Sequence, residues 1–209
     1  PLPSAITLPL YLAEIRKGNP HADITILIAT GVHRSPTQEE MLAKYGEGIV
    51  NHEKLLVHNA SDDSALVLMG TLPSGGELWL NKLVAEADLV VSEGFVEPHF
   101  FAGFSGGRKS ILPGVAGRAT IMQNHAHALD PMAAQPNPLC GLGVTHLNPV
   151  HEDMAEAAAM VAPVFGINMI ADGQGRHLAL PSGHWLHAWE ESCALADRFN
   201  GVDIPERAD

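Results

Sequence analysis

Apolar positions in the first third of the chain switch between two periods. Leu8, Leu12 and Ile15 recur at helical spacing between Ser4 and Gly18, which predicts an opening helix. Residues 24–29 form a β-branched apolar run ending at Thr30-Gly31, the pattern of a strand covered on both faces. A helix is predicted to start at residues 36–40, with Ser35 as cap, Pro36 in the first position and Glu39 and Glu40 at the positive end. Strand patterns follow at 55–58, 65–70 and 77–80, then a short helix over 81–87. A second buried strand spans 88–93 and runs straight into Gly94.

Residues 94–117 break the regular pattern and gather glycine, histidine and cations. A helix is predicted over 118–129, followed by a proline- and glycine-rich stretch over 130–149; unpatterned stretches of that length are usually functional or mobile. Residues 152–161 read as an alanine-rich helix, 164–170 and 177–180 as paired strands, and 185–199 as a final helix. Strands alternating with helices predict an α/β fold with a mainly parallel sheet flanked by helices. The chain then ends after an extended-looking stretch at 202–205. No internal repeat, low-complexity tract or linker divides the 209 residues.

Composition narrows the function classes. At 46% apolar and 17% charged residues, the chain can bury a full core. Twelve basic against 24 acidic residues give a formal charge of −12, which argues against nucleic acid or an anionic membrane as the main partner. An anionic ligand would have to be held by a few local cations and backbone N–H groups. No run approaches the roughly 18 apolar residues of a membrane span. Two cysteines, Cys140 and Cys193, read as ordinary thiols of a reducing compartment and predict a cytoplasmic location.

Candidate chemistry sits at four places. In Thr30-Gly31-Val32-His33-Arg34, a turn follows a buried strand, and His33 would project where open α/β sheets place ligands; its imidazole can move protons near neutrality. In Glu97-Pro98-His99-Phe100-Phe101, proline and two phenylalanines would fix the ring of His99, and burial would keep it neutral, as a general base requires. The loop 103–110 carries Ser105, Gly106, Gly107, Arg108 and Lys109, a composition suited to an anion. It misses the nucleotide-triphosphate loop pattern, because Arg108 replaces the second glycine and the preceding strand ends ten residues too early. In Asn124-His125-Ala126-His127, two histidines on a helix face opposite sides, so at most one binds a metal. No HExxH or CxxC spacing occurs. The histidines at 21, 52, 58, 146, 151, 177, 184 and 187 lack comparable contexts and read as surface or helix-face residues.

Three of these segments, in this order, resemble the lactate racemase family of nickel-pincer-nucleotide 2-hydroxyacid racemases and epimerases: Gly31-Val32-His33-Arg34, Glu97-Pro98-His99 with Gly103 through Lys109, and the helix bearing Asn124-His125. The spacings of 10 residues from His99 to Lys109 and 16 from Lys109 to His125 agree with the family. The resemblance covers the chain as the family's N-terminal, cofactor-binding and catalytic domain (residues 1–209). The resemblance implies that Pro1 is the last position of an Asp-x-Thr-Arg-Pro motif and that a C-terminal domain, which would close over the site, begins just after Asp209. It implies that Lys109 covalently anchors the nickel-pincer nucleotide, that His125 is a nickel ligand, and that His33 and His99 form the acid/base pair. Ser105, Gly106, Gly107 and Arg108 are expected near the cofactor's phosphate. It also implies a small 2-hydroxyacid substrate, cofactor-biosynthesis proteins as partners, and weak or no activity for the isolated piece, with an apolar docking face exposed.

Two rival classes remain at the level of sequence. One is a non-catalytic anion- or nucleotide-binding domain using the loop 103–110. The other is a cofactor-free hydrolase or metal-dependent lyase using the same histidines, for which neither a nucleophile elbow nor a carboxylate-rich cluster is visible.

Overall fold

The computed structural model describes residues 3–133, 135–161 and 164–202. Pro1 and most of the expected extension at 202–205 lie outside the described residues.

The first lobe is local in sequence. Helix α1 (Ser4–Gly18), strand β1 (Thr25–Ile28), helix α2 (Gln38–His52) and strand β2 (Lys54–Val57) enclose Leu8, Leu12, Ile28, Tyr45 and Ile49. Strands β1 and β2 pair in parallel, Thr25 opposite Lys54 and Ile28 opposite Val57. The start of α2 differs from expectation. Thr37, two residues after Ser35, is the N-cap, and it closes a reciprocal box: its hydroxyl accepts from Glu40 N–H while the Glu40 carboxylate accepts from Thr37 N–H. A box satisfies two orphan donors where a lone serine satisfies one, so the helix begins there.

The second lobe holds the larger core. Strands β3 (Leu66–Thr71) and β4 (Glu77–Asn81) form an antiparallel hairpin, followed by the short α3 (Lys82–Ala85), capped by the Asn81 side chain. Strand β5 (Val90–Phe95) leads into a tight hairpin of β6 (Pro98–His99) and β7 (Gly103–Phe104), then a 3-10 turn at Gly107–Ser110. Helices α4 (Arg118–Ala126) and α5 (Pro149–Ala159) precede β8 (Val164–Ala171), β9 (His177–Ala179), β10 (Ser182–His184) and the closing α6 (Trp185–Asn200). The buried cluster includes Leu78, Leu80, Leu112, Ile121, Val150, Met154 and Trp185.

The α/β class holds, and the sheets are mixed. β8 pairs with β5 in parallel, with Glu93 opposite Ile167 and Phe95 opposite Met169, while β9 and β10 pair with it antiparallel. Every residue of β8 but Phe165 is buried, as its near-continuous apolar run requires. The sheet mixes because the links from β8 to β9 and β10 are short, and short links can only reverse direction. Helix α1 is fastened to β5 across the lobes: the hydroxyls of Ser4 (2.7 Å) and Thr7 donate to the two carboxylate oxygens of Glu93.

Candidate active site

The segment after β5 is shaped by one buried cation. Arg108 is 1% exposed. Its guanidinium donates to the carbonyls of Ala102 (2.7 Å) and Phe104 (3.2 Å) and to His151 Nδ1 (2.7 Å), and lies 3.9 Å from the Trp189 ring centroid. Burial pushes its pKa down to about 9. Arg108 therefore points into the interior, tying the β6–β7 hairpin to α5 and α6. Three of its five N–H groups are held on protein acceptors, which makes Arg108 an internal brace. His151, read from sequence as a surface residue, stacks on Trp189 with ring centroids 5.2 Å apart. Burial and then Arg108 push its pKa down to about 4.

The glycines of this turn serve close approach. A Cβ on Gly106 (φ 67°) would fall 2.5 Å from the Val96 side chain, and one on Gly107 (φ 50°) 2.5 Å from Trp189. The amide of Ser105 donates to Glu97 O, that of Gly107 to the Asn168 side chain, and that of Lys109 to Gly106 O. The Ser105 hydroxyl accepts from Glu97 N–H and donates to Phe95 O. With these donors used internally, the loop 103–110 offers little of the anion cradle that its composition suggests, which weakens the anion-binding reading.

Bracing Arg108 leaves its neighbour facing the other way. Lys109 Nζ sits 3.1 Å from His99 Nε2 and 5.4 Å from the Phe101 ring centroid. His99 is clamped as its neighbours predict: Phe100 stacks on it at 4.9 Å, and Phe101 meets it edge-on at 4.6 Å. Phe101 also meets His125 edge-on at 5.1 Å, so one aromatic ring spaces two imidazoles and an amine.

Burial, then Lys109, Arg108 and His125, push the His99 pKa down to about 4. Burial and then Arg108 lower that of Lys109 to about 8. The backbone N–H groups of Phe101 (3.5 Å) and Ala102 (3.3 Å) point at His99 Nδ1. The bond between Lys109 Nζ and His99 Nε2 runs in the direction set by which partner holds the proton, so the pair can pass one between them. A desolvated lysine of this kind is a nucleophile near neutral pH.

His33 and His125 complete the setting. Gly31 N–H donates to Gly114 O and the Thr30 hydroxyl to His58 O, which docks the β1 turn against the Lys109 segment. A cleft of about 160 Å³ results, lined by His33, Lys109 and His125 together with Gly31, Pro113 and Ile121. His99 adjoins it through Lys109 and is not one of its lining residues. Burial and then Lys109 lower the pKa of His125, opposed by the Ile121 carbonyl. Its Nδ1 is buried without a well-formed hydrogen bond. Among the described residues no group of three or more His, Cys, Asp or Glu could hold a metal alone. A single neutral imidazole is what a group bringing its own remaining ligands needs from the protein, so His125 and Lys109 fit such a group.

Several residues escaped the sequence reading. His58 is fully buried, not exposed. Its Nδ1 accepts from Asn81 Nδ2 (3.2 Å), and its Nε2 therefore donates to Ala116 O (2.9 Å). Asn124, beside His125, is held by Val150 O and by the fully buried Asp153, which also accepts from the Ser74 amide and hydroxyl. Only the apolar periodicity of residues 149–159 hints that Asp153 faces inward. Cys193 is a protonated thiol, its pKa raised to about 12 by burial.

The α/β domain gathers an amine and three imidazoles in one region, an arrangement that can move protons, and comparison with known proteins makes the class specific. Residues 1–136 match the family model described as the lactate racemase N-terminal domain, and the chain belongs to that family. It is 49% identical over 203 residues to the lactate racemase of Thermoanaerobacterium thermosaccharolyticum, and 44% identical over 202 residues to that of Lactiplantibacillus plantarum. Each alignment covers 97% of this chain and 46% of the relative. The chain thus spans about half the length of the curated relatives it matches. The structure of the lactate racemase apoprotein from T. thermosaccharolyticum superposes with a TM-score of 0.88 at 47% identity, covering 94% of this chain and 46% of that one. A Thermotoga maritima protein at 24% identity and a TM-score of 0.75, covering 94% of this chain and 51% of that one, shares the fold. No helix among the described residues is long and apolar enough to cross a membrane.

Proposed function

We propose that this chain forms the catalytic, N-terminal part of a lactate racemase-type enzyme that racemises or epimerises a small 2-hydroxyacid. Lys109 would hold a nickel-pincer nucleotide covalently, and His125 would supply a ligand to its metal. The observation that carries the reading is the Lys109 amine, 3.1 Å from His99, in a cleft that His33 and His125 also line.

The chemistry explains the residue types. The C–H beside a carboxylate is weakly acidic, so plain proton abstraction at C2 is slow; when bound, the pincer group would act as a reversible two-electron acceptor for the hydrogen at C2. His99, kept neutral by its aromatic clamp, can accept the hydroxyl proton as the carbonyl forms and return it afterwards. His33, on the turn across the cleft entrance, can do the same for the mirror-image substrate, and positioned acid–base help of this kind is worth about 10²–10⁴-fold. The carbonyl product is planar and can be reduced from either face, which inverts the centre. Because the chain covers 46% of its relatives' length, the 209 residues alone are expected to turn over weakly.

Mass spectrometry of the holo enzyme should find the adduct on Lys109; an unmodified Lys109 in a fully active preparation would refute the anchor. His33→Ala and His99→Ala should each abolish interconversion, and an unchanged rate for either removes that residue from the pair.

A further inference from the structure

The reactive groups come from two bodies. His33 rides on the turn after β1, in the lobe whose core holds Leu8, Leu12, Ile28, Tyr45 and Ile49. His99, Lys109 and His125 belong to the second lobe, which has its own core around Leu78, Leu112 and Met154. Apolar contact is non-directional, so it does not by itself hold two such bodies at a fixed angle. Their first attachment is at the end of β1. Leu27 packs against the larger core, while the Gly31 amide and the Thr30 hydroxyl donate to Gly114 O and His58 O. A body held at one place can still pivot about it.

Glu93 is the second attachment. Its two carboxylate oxygens accept from two buried hydroxyls of α1, those of Ser4 (2.7 Å) and Thr7. No ion pair reaches this carboxylate among the described residues. It faces the phenols of Tyr11 and Tyr45, whose pKa values are raised by burial and then by its charge. A partly buried carboxylate costs more to desolvate than an apolar side chain in the same place. What it supplies instead is direction, since two hydrogen bonds from one helix fix a single orientation.

Both ends of the tie continue into the reactive segments. On the β5 side, Gly94 lies opposite Asn168 of β8, whose side chain accepts from Gly107 N–H at 3.1 Å. A Cβ on Gly94 would fall 3.2 Å from Gly106 Cα, so β5 and the turn that carries Lys109 pack backbone to backbone. On the α1 side, Leu8 follows Thr7 directly and shares a cluster with Ile28, the last residue of β1 before the His33 turn.

We infer that Glu93 is a positioning residue: its tie to Ser4 and Thr7 sets the angle between the lobes and so holds the His33 turn against the Lys109 turn. The tie itself does not depend on the reaction; that the held angle governs racemisation rests on the function proposed above.

Hydrogen exchange and kinetics on the full-length enzyme test the two parts separately. In Glu93→Ala, and equally in the paired variant Ser4→Ala with Thr7→Val, the Gly31 amide should exchange at least roughly tenfold faster, as its bond to Gly114 opens. The kcat should fall roughly ten- to a hundredfold with KM held within about twofold, because a shift of about 1 Å in an acid/base group slows the chemical step. Adding Thr7→Val to Glu93→Ala should change nothing further. Glu93→Gln can accept from one hydroxyl and donate to the other, and should recover most of the rate. Ile49→Ala, a cavity in the core of the first lobe, controls for stability alone: its melting temperature should drop while kcat, read well below that melt, stays near the parent value. Unchanged Gly31 exchange in Glu93→Ala, a glutamine variant as slow as the alanine one, or an unchanged kcat beside faster exchange would each overturn the positioning role. If the parent enzyme racemises no 2-hydroxyacid, the function proposed above falls, and the exchange result alone decides the tie.

Discussion

Replacing Arg108 by lysine keeps a cation beside Lys109 but removes the fork that ties three elements together. An ammonium has three donors but at a single point, without the fork's reach to acceptors on separate elements, so up to two among Ala102 O, Phe104 O and His151 Nδ1 are left buried and unpaired. Each orphaned acceptor costs about 1–3 kcal/mol, and the stacked contact with Trp189 weakens as well. A destabilisation of about 3 kcal/mol is expected, which for a domain of this size lowers the melting temperature by roughly 6–12 °C. Arg108→Met separates charge from tether. It should destabilise comparably, because the desolvated cation is gone along with its bonds. Only in this variant should the Lys109 pKa climb from about 8 toward its ordinary value, since Arg108 is the second cause of that depression after burial. Circular-dichroism melts read the first effect, and the pH dependence of Lys109 acylation, followed by peptide mass spectrometry, reads the second. A melting shift under about 2 °C in Arg108→Lys, or an unmoved Lys109 midpoint in Arg108→Met, would refute the brace.

Acid should weaken the fold before the carboxylates titrate. His99 and His151 have folded pKa values near 4 against about 6.5 when unfolded, so the unfolded chain binds more protons between these limits and stability falls as pH drops through them. Urea midpoints at pH 7, 6 and 5 should decline, and a flat profile would contradict the burial of these rings. Gly107→Ala places a Cβ 2.5 Å from Trp189 at a φ of 50°, and should cost about 2–4 kcal/mol by chemical denaturation; a cost below about 0.5 kcal/mol would show that α6 yields easily. Asp153→Ala strands the Ser74 amide and the Asn124 side chain, so about 2–3 kcal/mol should be lost. Unchanged stability would mean water replaces the carboxylate without cost.

Most elements are legible along the chain because their causes are local. The apolar run of β8, the helical spacing of α6 and the turn after β1 each depend on neighbours a few residues away. The aromatic clamp on His99 is local for the same reason: Phe100 and Phe101 adjoin it in the chain. Cap choice at α2 is less legible, since Ser35 and Thr37 are both suitable and only the reciprocal box with Glu40 decides between them.

What the sequence by itself determined is thus the α/β class, the strand-end turns, and which residue types stand at His33, His99, Lys109 and His125. Tertiary structure decided which way each side chain faces. Arg108 and Lys109 are adjacent cations indistinguishable by composition, yet one is drawn inward by two carbonyls, an imidazole and an indole from three separate elements, and the other is left at the cleft. His58 was invisible for the same reason: a buried imidazole needs partners from Asn81 and Ala116. Such long-range pairing is settled only when the lobes close, because it depends on distances that no window of sequence contains.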